Sequence, residues 1–180
     1  MGADMSLTIV MLAGLVQYIM LLTLYEVMYN KSLMLPVTEI NRINKFLIQR
    51  YKKTVVTSII LTLTLSMILY LIGPSIIYSF GGTQTSVFVL HYSCIANSIM
   101  SIFIVNGQFI LLSGKSKQLA ILVVAAAVVN AAIGFKFAPM GFENAVFGYL
   151  SAAIMLTGIS TAYLLKKRNN MVSLLFARFS

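Results

Sequence analysis

The sequence has few charged residues and no tryptophan. Only 9% of its 180 residues are charged, with four acidic side chains and one histidine, whereas a soluble domain carries roughly 25% charged residues. So few charges cannot cover a water-facing surface, which excludes an ordinary soluble globular domain. A hydrophobic content of 59% and a mean hydropathy of +0.94 indicate an integral membrane protein instead.

The scarcity of cysteine, histidine and acidic residues also limits the chemistry. Cys94 has no second cysteine in the chain to pair with, so there is no disulfide framework. His91 and Cys94 are three residues apart, but two such ligands without a nearby carboxylate are a weak metal signal. We predict neither a metal site nor a cofactor. Since no G-x-S-x-G, H-E-x-x-H or Walker pattern is present, we expect no enzymatic activity.

Five apolar runs are long enough to cross a bilayer as helices, which takes about 20 residues for roughly 30 Å of hydrocarbon. They cover residues 5–28, 55–72, 86–112, 119–137 and 145–165. The runs do not alternate in the way that transmembrane strands do. The first run is too long for the apolar part of a signal peptide and lacks a preceding positive region, so we expect it to be retained. We predict one all-α domain over residues 1–180, a five-helix transmembrane bundle.

Basic residues fall in every second connection between the runs. The segments 29–54 and 113–118 and the C-terminal tail are basic, whereas segment 73–85 has no charge and segment 138–144 has only Glu143. Because basic connections stay cytoplasmic, we predict a multi-pass membrane protein with its N-terminus outside and its C-terminus inside. The net charge of +9 therefore indicates topology. We expect no nucleic-acid partner, since no basic patch is interleaved with aromatic residues.

The longest connection predicts an amphipathic helix over about residues 38–53. Pro36 breaks the chain, Thr38 can cap a helix, and apolar residues such as Ile40 and Ile43 then recur at helical spacing opposite basic residues. Such helices lie at anionic membrane surfaces. We predict that this cytoplasmic helix lies on the inner leaflet and continues into the second span, either as a plain surface linker or with a regulatory role.

The connection between the second and third runs contains residues that commonly end helices. Gly73 and Pro74 follow the second run directly, and Gly81 and Gly82 precede the third. We therefore predict a turn that begins at Gly73 and includes a short interfacial piece. No motif that could cradle a phosphate is present there.

The third run carries a polar stripe. Six polar or small residues fall within an arc of about 120° on a helix: His91, Cys94, Asn97, Ser98, Ser101 and Gln108. Polar side chains are costly in hydrocarbon, so this face is predicted to point into the bundle or a wet cavity. Hydrogen bonding between helices and lining of a hydrophilic path both fit the stripe.

The candidate cavity-lining residues come from three spans. They are His91, Asn97, Ser101, Gln108, Asn130 and Gln17. Small residues at spacings of four predict close helix packing instead. These ridges are Ser58, Thr62 and Ser66; Ala126, Asn130 and Gly134; and Gly148 and Ala152. Asn130 thus belongs to both sets, and contact with a ligand and helix packing both remain open for it.

Several short stretches and their order carry a family resemblance. A span ends in Leu24-Tyr25-Glu26-Val27-Met28-Tyr29, a basic helix follows, and later segments contain Leu71-Ile72-Gly73-Pro74 and, after two helical hairpins, Leu175-Phe176-Ala177-Arg178. This pattern resembles the C-terminal part of the Pel exopolysaccharide transporter family, within the multidrug, oligosaccharidyl-lipid and polysaccharide flippase superfamily. The resemblance covers most of this chain and less than half of such a transporter. Members of the superfamily typically have twelve or more spans.

The resemblance implies a component of a polysaccharide exporter or flippase that lies in the bacterial cytoplasmic (inner) membrane and works by alternating access. Its substrate would be a polysaccharide or a lipid-linked saccharide, and further transmembrane helices of the same or a partner chain would complete the cavity. The last five spans of a twelve-span protein with cytoplasmic ends begin outside and end inside, which agrees with the charge pattern. The alternative expectation is a small accessory or scaffold protein, in contact with membrane lipids and other helices, that transports nothing itself.

Overall fold

The computed structural model describes residues 40–112 and 114–167, and both ranges are almost entirely helical without any strand. The four long helices are α1 (Ile40–Ser79), α2 (Gln84–Leu112), α3 (Ser116–Phe137) and α4 (Val146–Lys167). Each contains a stretch long and apolar enough to span a membrane. The predicted all-α class is therefore confirmed for this part of the chain. The first predicted span, residues 5–28, and Gln17 within it lie outside the described residues.

The helices pack in the order α1, α2, α4, α3. Helix α2 lies between α1 and α4, and α3 packs mainly on α4, although α3 follows α2 directly in the sequence. One hydrophobic cluster, which we call the Leu119 cluster, joins the start of α1, the end of α2, the start of α3 and the end of α4. Its members include Tyr51, Val105, Phe109, Leu119 and Leu164. Consecutive helices therefore run in opposite directions, as expected for helices joined by short turns.

Helix α1 continues through Gly73 and Pro74 to Ser79, so the predicted turn at Gly73 is wrong. The proline removes one helical hydrogen bond, because it has no N–H to donate. Extending the helix past it buries Ile77 in a cluster with Leu90 and Cys94 of α2. A Cβ atom on Gly73 would overlap the Leu90 side chain, so this glycine allows α1 and α2 to approach closely. The chain reverses only at Gly81, where φ is 74°.

The predicted amphipathic segment belongs to the same helix. Residues from Ile40 onward are helical without a break, and at 1.5 Å per residue α1 is about 60 Å long, twice the hydrocarbon thickness. The stretch of α1 suited to spanning a membrane begins at Tyr51. The placement of residues before Tyr51 on the inner leaflet stays a prediction.

Two short 3-10 turns, Ala138–Met140 and Phe142–Ala145, connect α3 to α4. Gly141 separates them with φ at 140°, a conformation that favours glycine. Next to this connection, Phe147 makes edge contacts with Phe137 of α3 and Tyr92 of α2, with ring centroids 5.6 and 5.0 Å apart. The end of α3 and the starts of α2 and α4 thus meet at the end of the bundle opposite the Leu119 cluster.

Candidate functional site: polar contacts between the helices

Polar side chains hold α1 against α2 near the middle of the bundle. The hydroxyl oxygens of Ser66 and Ser98 lie 2.9 Å apart, and Ser98 also donates to the Cys94 carbonyl at 2.9 Å. Thr62 and Ser58, one and two turns earlier on the same face of α1, are buried. The predicted ridge of small polar residues in the second span therefore packs against α2.

Asn97 faces α4 instead. It is 3% exposed, and its Oδ1 accepts a hydrogen bond from the Tyr149 hydroxyl. Two turns further along α4, the Thr157 hydroxyl donates to the Ile99 carbonyl at 2.9 Å. Both bonds join α2 to α4. Within the described residues, the side-chain oxygen of Asn97 is thus used in helix packing.

The polar stripe predicted on α2 is divided between two neighbours. His91 and Ser98 contact α1, whereas Asn97 contacts α4. Ser101 is 1% exposed and donates to the Ser98 carbonyl within its own helix at 2.8 Å. An arc of about 120° is wide enough to reach both helices that flank α2. The structure therefore does not bring the stripe together on one open face.

Asn106 is the residue with the most extensive polar contacts, and the sequence analysis did not select it. Its Oδ1 accepts from the Tyr51 hydroxyl of α1 at 2.7 Å. Its Nδ2 donates to the hydroxyls of Ser160 and Thr161 on α4, at 3.0 and 2.8 Å. One fully buried amide thus links three helices. Asn106 lies nine residues after Asn97, about 180° around the helix, and so fell outside the predicted stripe.

A signal for Asn106 was present in the sequence. An asparagine deep in an apolar run must find polar partners, and Ser160 and Thr161 provide a pair of hydroxyls in the last predicted span. Their depths match, because α2 and α4 run in the same direction and both Asn106 and the two hydroxyls lie near the end that contains Leu164. Matching polar residues by depth across spans that run in the same direction would have identified the contact.

Two buried polar atoms among the described side chains have no hydrogen-bond partner: Nε2 of His91 and Oε1 of Gln108. The His91 ring stacks on Tyr70 of α1, with centroids 4.0 Å apart and an interplanar angle of 24°. His91 and Gln108 lie 17 residues apart, or about 25 Å along α2. An unpaired buried polar group costs roughly 1–3 kcal/mol, so each of these two atoms is an unmet hydrogen-bonding position within the described part of the bundle.

Asn130 lies at the contact between α3 and α4. A Cβ atom on Gly148 would overlap the Asn130 carbonyl oxygen and would lie 2.8 Å from the Gly134 nitrogen. Ala126 and Ala152 pack in one cluster on the same contact. The two predicted small-residue ridges of α3 and α4 therefore face each other, and Asn130 is part of this packed surface.

The two ends of the bundle differ in charge. The end that contains the Leu119 cluster carries the described lysines Lys45, Lys52, Lys53, Lys115, Lys117, Lys166 and Lys167. The opposite end carries Lys136 and Glu143, whose charges cancel. Over residues 40–112 and 114–167, no three His, Cys, Asp or Glu side chains lie close enough together to hold a metal ion.

No protein-family model, curated protein or solved structure matches this chain. Its helices and polar contacts therefore carry the functional argument, together with the resemblance in the sequence. The described part of the chain has four helices long and apolar enough to span a membrane, as a membrane protein requires. Its buried amides join these helices, and its charge is concentrated at one end.

Proposed function

We propose that this chain contributes a bundle of transmembrane helices to an exporter or flippase of polysaccharide or lipid-linked saccharide. The resemblance to the C-terminal part of the Pel exopolysaccharide transporters suggests the substrate class. The observation that carries the proposal is the unpaired Nε2 of His91, buried beside Tyr70. In a conformation that uncovers it, an imidazole nitrogen without a protein partner can exchange hydrogen bonds with the hydroxyl groups of a passing saccharide.

Alternating access requires bundles that move as units around a central cavity. The Asn106 contacts tie α1, α2 and α4 together, and the Gly148 contact ties α3 to α4. These contacts support movement of the four helices as one body. Large apolar side chains such as Met67 on α1 and Val128 on α3 are exposed, so lipid or the further helices of a transporter can pack against both outer helices.

In the proposed arrangement the protein lies in the bacterial cytoplasmic membrane with the lysine-rich end in the cytoplasm. The first predicted span, residues 5–28, would add a fifth helix to the four described ones and bring the N-terminus to the outer side. His91 then lies toward the outer side and Gln108 toward the inner side. The chain itself catalyses no reaction and uses no cofactor in this proposal, because alternating access moves a substrate without chemistry on it.

The test is export by the native host after deletion of the gene. Extracellular polysaccharide is measured in strains that carry the wild-type chain, His91→Leu, Gln108→Leu or Thr64→Leu. Thr64 is the matched control, since it is a polar residue on the exposed surface of α1. We expect export to fall at least severalfold with His91→Leu, while its membrane abundance and melting temperature stay near wild type. Unchanged polysaccharide in the deletion strain would refute the proposal.

The second candidate is an accessory or scaffold protein, which the interhelical hydrogen bonds of Asn97 and Asn106 favour. These two amides are used in holding helices together, as a scaffold requires. In that case His91→Leu and Gln108→Leu should reduce the amount of a co-purifying membrane partner without a specific export defect. Cross-linking followed by affinity purification of the tagged full chain measures this, and a loss of export with an intact assembly argues against the scaffold.

A further inference from the structure

Three pairs of lysines surround one end of the bundle. We call them the basic rim: Lys52 and Lys53 on α1, Lys115 and Lys117 at the α2–α3 turn, and Lys166 and Lys167 at the end of α4. Five of the six are exposed and Lys115 is half-buried. The rim gathers side chains from three separate parts of the chain at a single level.

The Leu119 cluster fixes that level. Tyr51, Leu119 and Leu164 pack around the same buried residues of α2. Each lysine pair lies within four residues of one of these three side chains in the sequence. Because four residues are about one helical turn, or roughly 5.4 Å, the three pairs are held at a similar depth by packed hydrophobic residues.

The rim has little negative charge to neutralise it. Across the two described ranges the single acidic residue is Glu143, which lies at the opposite end of the bundle, and Glu39 immediately precedes α1 in the sequence. The stretch of α1 that is suited to spanning a membrane begins at Tyr51, and the corresponding stretch of α4 ends at Lys167. The six ammonium groups thus lie where an apolar span meets water, the depth of phospholipid headgroups, and their alkyl chains can extend along the apolar surface.

We infer that the basic rim binds the phosphate groups of anionic phospholipid headgroups. A lysine near an anionic membrane surface strengthens binding by about 1 kcal/mol, or roughly fivefold. A zwitterionic headgroup fits less well, because its ammonium group meets further positive charges and no described carboxylate at this end. Lipid binding here would hold the ends of α1, α3 and α4 together, and this inference does not depend on transport.

The test uses the purified full chain in neutral detergent. Its melting temperature is measured with added phosphatidylglycerol, with phosphatidylcholine, and with inorganic phosphate. The variants are Lys52→Gln/Lys53→Gln and Lys166→Gln/Lys167→Gln, and Lys136→Gln at the opposite end is the matched control. Phosphorus retained per protein during purification is a second readout that does not depend on the melting temperature.

We expect phosphatidylglycerol to raise the melting temperature more than phosphatidylcholine does, and added salt to reduce the difference. Each rim variant should bind phosphatidylglycerol at least tenfold more weakly, whereas Lys136→Gln should bind it as wild type does. Equal shifts with the two lipids, or an equal loss with Lys136→Gln, would overturn the inference. A shift of the same size with inorganic phosphate would also overturn it, since the site would then take a free anion.

Discussion

Replacing Asn106 with alanine should destabilise the bundle more than any other single loss of a polar side chain described here. The substitution removes three interhelical hydrogen bonds at once, one to Tyr51 and two to Ser160 and Thr161. Ser160 retains a bond to the Thr157 carbonyl at 3.2 Å. The Tyr51 hydroxyl loses the partner that joins α1 to α2 at this end.

The expected magnitude follows from the number of bonds. An interhelical hydrogen bond in a membrane protein contributes on average about 0.6 kcal/mol, so three bonds contribute about 2 kcal/mol. The Asn97→Ala variant removes one such bond, to Tyr149, and should lose about 0.6 kcal/mol. At about 2–4 °C per kcal/mol for a chain of this size, Asn106→Ala should lower the melting temperature by about 4–8 °C.

The assay is unfolding of the purified full chain in detergent, monitored by helical circular dichroism. Tyr51→Phe, Asn106→Ala and the double variant form a cycle that isolates one bond. If the Tyr51 bond contributes, the double variant should lose less stability than the sum of the two single variants. Equal destabilisation by Asn106→Ala and Asn97→Ala, or an additive cycle, would show that the three Asn106 hydrogen bonds do not stabilise the bundle as expected.

Two further predictions concern packing and orientation. Gly148→Ala should destabilise the α3–α4 contact by about 1–3 kcal/mol, because its Cβ would overlap the backbone of α3. A Cβ atom on Gly158 would have no neighbour within 4 Å, so Gly158→Ala should leave the melting temperature unchanged or raise it. Equal loss of stability in the two glycine variants would contradict the close contact at Gly148. In intact cells a membrane-impermeant maleimide should label the Thr83→Cys variant, whereas the Lys117→Cys variant should be labelled only after lysis. The native Cys94 is buried and should give no background labelling. The reverse pattern would contradict the proposed orientation.

The sequence predicted the helical class correctly and the C-terminal end of α1 incorrectly. Apolar run length is a property of each segment alone, so the four described spans were recognisable before any packing was known. The turn predicted at Gly73 failed because it rested on local preferences. Burial of Ile77 against Leu90 continues α1 beyond Pro74, and that contact joins residues that are distant along the chain.

The candidate site was predictable only in part. Helical periodicity placed Asn97, Ser98 and Ser101 on a face that points into the bundle or a cavity, and all three contact other helices or their own backbone. It could not divide them between α1 and α4, because periodicity gives the face of a helix and not the neighbour that covers it. Asn106 was missed for the same reason, since its importance comes from α1 and α4 covering opposite sides of α2.

The sequence by itself indicated a lipid environment, helical spans and a concentration of positive charge at one end. These properties follow from composition and from the order of segments along the chain. The tertiary structure alone decided the spatial order α1, α2, α4, α3 and the partners of each buried amide. Those depend on contacts between residues more than fifty positions apart, such as Tyr51 with Asn106. Only the packed bundle brings such residues within hydrogen-bonding distance.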